Sequence, residues 1–147
     1  MIPIDPLADT PSDLLKKYQM DSVMLDTAQQ APNCMLATSS LLRLAYDRPF
    51  AESLAAFLPI LWMNMAVARH LLHLRKPALR EDYSRFLEIH SNVALADSLS
   101  TLVGLLDEVA EEVAEDDRLT MRRHFALSSK IVYLLYDMGL SEQRWPM

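Results

Sequence analysis

Glycine is nearly absent from this chain, with two in 147 residues, and cysteine occurs once. So few glycines leave little material for the tight turns and bulges of a sheet protein, while alanine, leucine and methionine supply strong helix formers. With Cys34 alone no internal disulfide can form, which suits a reducing cytoplasm and excludes the cross-linked scaffold of a small secreted domain. Aromatic residues make up only 7%, and 14 basic residues against 20 acidic ones give a formal net charge of -6. No cluster of Lys and Arg stands apart from the acids, so nucleic acid is not an expected partner. The first residues, Met1-Ile2-Pro3-Ile4-Asp5-Pro6, have neither the basic start nor the apolar core of a secretion signal. The longest apolar run, Leu54 to Ala68, is broken by Pro59 and Asn64 and is too short for a bilayer. No membrane is expected, and the predicted location is the cytoplasm.

What the chain does have is apolar periodicity punctuated by proline. Apolar residues are 51% of the total, and the length fits one domain, 1-147, with a real core. Pro11, Pro32, Pro49 and Pro77 each precede a periodic segment, where a missing N–H costs a helix nothing. Thr10-Pro11-Ser12-Asp13 adds a capping box. The pattern predicts six helices, at about 11 to 28, 33 to 46, 49 to 74, 77 to 91, 93 to 115 and 117 to 141. Short joints predict that successive helices mostly pack as antiparallel neighbours.

The third segment carries two apolar stripes. Leu54, Leu58, Leu61, Met65, Ala68 and Leu72 form one, and Phe57, Ile60, Asn64, Val67, Leu71 and Leu74 the other. So wide an arc predicts a central helix touched on several sides, kinked at Pro59, whose ring clashes with the carbonyl of Ala55. In the fifth segment Leu99, Leu102, Leu106, Val109 and Val113 make one buried stripe. The seven carboxylates between Asp107 and Asp117 read as a solvated face rather than a metal site. Asp116 and Asp117 suit the start of the last helix, where negative charge opposes the dipole. In the last segment Met121, Phe125, Ser128, Val132, Leu135 and Gly139 share a face.

The stretch from Phe125 through Ser128-Ser129 to Tyr133, Tyr136 and Met138, followed by Trp145-Pro146, resembles the closing motif of the TenA (thiaminase-II) family. Leu58-Pro59-Ile60-Leu61-Trp62 resembles that family's Leu-Pro-Cys-x-Trp, and Phe86-Leu87-Glu88-Ile89-His90-Ser91 its Trp-Ile-Asp-Thr-Tyr-Ser. The three motifs fall in the right order from about Pro32 to Trp145. The resemblance implies an all-α, single helical bundle of the haem-oxygenase-like (TenA-type) fold and a link to thiamine metabolism. It also implies a pocket lined by Ala37, Ile60, Asn64, His90, Ser128 and Val132. The chain departs from the family at the reactive positions. Ile60 stands for the nucleophilic cysteine, Val132 for the catalytic glutamate, and His90 and Ala37 for pocket tyrosines; Ala66 stands for a second glutamate. The family's catalytic aspartate lies on an earlier helix, one of about two that the resemblance does not cover here.

No other residue repairs these losses. Cys34 begins a different helix with no base beside it and reads as a small buried hydrophobe. His70 and His73 share a face, but no Glu-x-x-His accompanies them, so no metal and no cofactor are expected. His90 could bond a ligand or cap backbone at a helix end. The expectation is a catalytically degenerate TenA-like pseudoenzyme with no catalytic residues, binding a partner chain or a small-molecule ligand. A dimer, or a protein covering the face left by missing helices, is the expected assembly. The alternative is a superfamily enzyme with altered chemistry, aminopyrimidine-related or metal-dependent, in the same cavity.

Overall fold

The computed structural model describes residues 16–74 and 81–146, and among them every regular element is a helix. The chain divides into two units, Met1–Gln30 and Ala31–Met147. In the first, α1 spans Ser22–Thr27. The predicted helix over 11 to 28 is interrupted before it. Gln19 takes a left-handed φ of 54°, and Asp21 Oδ1 accepts from the Met24 amide at 2.7 Å to start α1 afresh. The capping box at Thr10 and the Pro11 start lie outside the described residues, as does Pro77.

The second unit holds α2 (Pro32–Asp47), α3 (Phe50–Leu74), α4 (Glu81–Ser91), α5 (Val93–Glu112) and α6 (Glu115–Ser141). Pro32 occupies the first helical turn of α2, as its missing N–H favours. Asn92 caps α5 by accepting the Leu95 amide at 2.7 Å. The predicted fifth helix ends three residues early. Val113 and Ala114 are extended, with ψ near 159°, so Glu115, Asp116 and Asp117 all enter the first turn of α6 and face its positive end.

As its broad apolar arc predicts, α3 is central and packs on α2, α4, α5 and α6, most heavily on α6. The first stripe is buried along Leu54, Leu58, Met65 and Ala68, while Phe57 and Leu74 of the second are exposed. The stripe of α5 is borne out as well: Leu99 is buried, and Leu102, Leu106, Val109 and Val113 pack onto the α3–α6 core. Successive helices mostly pack on each other: α2 on α3, α3 on α4 and α4 on α5, while α5 and α6, joined by the extended residues Val113 and Ala114, pack chiefly on α3.

At 25 residues and mean hydropathy 1.5, α3 is long and apolar enough to cross a membrane by length and composition alone. The helix outruns the Leu54 to Ala68 stretch at both ends, and it continues through Pro59, which is wholly buried. Its packing against four other helices is that of a core element.

Candidate functional site

Two side-chain hydrogen bonds fix the register of the central pair. His124 Nε2 lies 2.9 Å from Glu52 Oε2, and the Tyr136 hydroxyl donates to Asn64 Oδ1 at 2.6 Å. Both bonds join residues 72 apart, so α3 and α6 run parallel in one register. The same offset puts Ala56 level with Ser128 and Ile60 level with Val132. From the third side, Asn33 Nδ2 donates to the Leu134 carbonyl at 3.1 Å, and its backbone amide donates to Gln143 Oε1 at 3.0 Å. Ser53 Oγ donates to the Leu44 carbonyl at 2.9 Å, so the end of α2 lies at the start of α3 and α2 runs opposite to α6; Ala37, one turn on from Asn33, therefore falls near the level of Val132.

Ala37, Ile60 and Val132 thus lie near one height of the bundle, on α2, α3 and α6. Val132 is 2% exposed, Ala37 6%, and Ile60 partly buried. Ser128, also buried, stands a turn before Val132, and Asn64 a turn beyond Ile60. His90 is not brought to this level by any bond. Its Nδ1–H donates to the Phe86 carbonyl within its own helix at 2.9 Å, and its ring lies 4.3 Å from that of Phe86.

The sequence reading missed two polar pairs. Tyr136 is the partner of Asn64, and burial pushes its phenol above the ordinary 10.0, so it is a protonated donor at neutral pH. The second is Glu52, a carboxylate 6% exposed in the first turn of α3, held by His124, with Arg48 Nε 3.9 Å away. An acid buried in an apolar helix was the available signal, but a partner 72 residues away is invisible to local spacing.

His70 and His73 are exposed near the end of α3, and Cys34 is half-buried at the start of α2. Among the described residues no three of His, Cys, Asp and Glu converge as a metal site would require.

A parallel α3–α6 pair buttressed by α2, α4 and α5, with the Leu-Pro-x-x-Trp motif on α3 and the Ser-Ser motif on α6, defines an all-α bundle of the haem-oxygenase-like, TenA type. The TENA/THI-4/PQQC family profile matches residues 12–142, and the chain belongs to that family. An aminopyrimidine aminohydrolase of Bacillus subtilis (strain 168) is 28% identical over 115 residues, which are 78% of this chain and 48% of that protein. The chain therefore spans about half the length of this curated relative.

Proposed function

We propose that the chain is a catalytically degenerate, cytoplasmic TenA-like protein that binds a partner chain or a small ligand. One observation carries this reading: the level of the bundle where the resemblance sets nucleophile and acid holds Ala37, Ile60 and Val132, all apolar. Hydrolysis through a covalent intermediate needs an activated nucleophile and a proton donor within reach of each other. Neither isoleucine nor valine can serve as either. A second copy of the chain is the favoured partner, because Phe57 and Trp62 of α3 and Tyr133 and Leu140 of α6 are large, apolar and exposed. The test is hydrolysis of an aminopyrimidine by the purified chain beside an active family member, with no turnover expected.

A second reading, an enzyme with altered chemistry, is favoured by a different observation. The Tyr136–Asn64 bond lies one turn past the Ile60–Val132 level and offers a polar pair to a ligand there. The relative's name makes an aminopyrimidine the first substrate to try. Under this reading Tyr136→Phe abolishes a measurable turnover while leaving the melting temperature nearly unchanged.

A further inference from the structure

We propose that the second copy docks along the outer stripe of α6, helix against helix in antiparallel register, an inference that rests on the dimer reading and adds its interface. Leu119, Ala126, Tyr133 and Leu140 follow one another at every seventh residue, with Ser129 and Tyr136 three positions beyond Ala126 and Tyr133. Such alternation of three and four is the seam of a helix that pairs with another helix. The residues α6 buries, Met121, Ser128, Ile131 and Val132, lie on its other side. Tyr133 is 65% exposed and Leu140 88%, and Leu119, Ala126 and Tyr136 are exposed too. Two of the polar tips are satisfied within the chain: Ser129 Oγ donates to the Phe125 carbonyl at 2.9 Å, and the Tyr136 hydroxyl to Asn64. The stripe therefore offers mainly carbon surface over roughly 30 Å of helix. Trp62 borders it from α3, with its ring 5.9 Å from that of Phe125.

Shape and charge both select a copy of the same helix as the occupant. About a twofold axis level with Ile131, the antiparallel stripe meets itself large against small. Tyr133 faces the partner's Ser129, Tyr136 faces the partner's Ala126, and Leu140 covers the aliphatic stem of the partner's Arg122. A parallel pairing would instead set each tyrosine on its own counterpart and Arg122 on Arg122. Beside the seam, on the edge away from α3, Arg123, Lys130 and Asp137 also recur at every seventh residue. The antiparallel register brings Arg123 opposite the partner's Asp137, and Asp137 opposite the partner's Arg123. Near the axis Lys130 meets its own kind, so two attractions stand against one repulsion. Complementary charge of this sort fixes register and excludes other partners.

Sedimentation equilibrium of the full chain tests the interface. Wild type should dimerise at low micromolar concentration. Ala126→Arg changes an exposed helical position, so circular dichroism and the melt should be kept while dimerisation weakens at least ~tenfold. Arg123→Asp and Asp137→Arg should each weaken it by about tenfold, because each creates two like-charge contacts per dimer. The two reversals together should return the dissociation constant to near the wild-type value. Positions 123 and 137 are roughly 21 Å apart along one helix, so that recovery requires an antiparallel second copy. A monomeric wild type would remove the dimer reading and this interface with it. A dimer that tolerates Ala126→Arg, or charge reversals that do not compensate each other, would leave the dimer reading standing and overturn this interface alone.

Discussion

At the residue scale, Val132 and Glu52 are opposite cases of burial. Val132 is 2% exposed on a face it shares with Met121 and Ser128, also buried. A glutamate there must ionise in an apolar setting or take up a proton, so its folded pKa is raised above the unfolded value. Val132→Glu should therefore destabilise the fold by at least ~2 kcal/mol near neutral pH, through lost packing and polar burial together. The ionisation part of the penalty is absent well below the unfolded pKa, grows as pH rises, and levels off above the folded pKa. Denaturant melts at several pH values read this directly, and a mutant as stable as wild type at neutral pH would mean that Val132 borders water. Glu52 is a native buried acid already supplied with a partner. His124→Ala leaves it without its imidazole and should cost about 3 kcal/mol, more than replacing both residues by leucine. Urea melts of the single and double mutants decide between these orders.

At the scale of elements, the helices were legible wherever a local signal marked them. Pro32 and Pro49 announce α2 and α3, and the stripes of α3 and α5 follow from their leucine spacing. Asn92 is such a signal too: Asn92→Ala should cost about 1 kcal/mol in a thermal or urea melt, since it removes the side-chain acceptor for the Leu95 amide. Breaks without a local signal were not legible. Gln19 adopts a left-handed backbone that glycine would have advertised, and neither Val113 nor Ala114 is a residue type that marks a helix end. The separation of α5 from α6 rests on that second break. Register was equally hidden. The offset that sets Ile60 level with Val132 comes from Glu52–His124 and Asn64–Tyr136, pairs that no window along the chain connects.

At the scale of the whole molecule, the family follows from the matched residues 12–142, while the proposed loss of activity is argued from three positions near one level of the bundle. A dimer is the proposed state, and light scattering at low micromolar concentration should report about twice the chain mass of 16.8 kDa. A clean monomer that binds no apolar dye would show that the exposed aromatic residues of α3 and α6 are not an interface. The central claim is the absence of hydrolytic chemistry at the apolar Ile60–Val132 level. Its most direct measurement is ammonia release from an aminopyrimidine by the purified chain, run beside an active family enzyme. The account predicts a rate equal to the buffer blank. Turnover that persists through successive purification steps and tracks with the protein would contradict it.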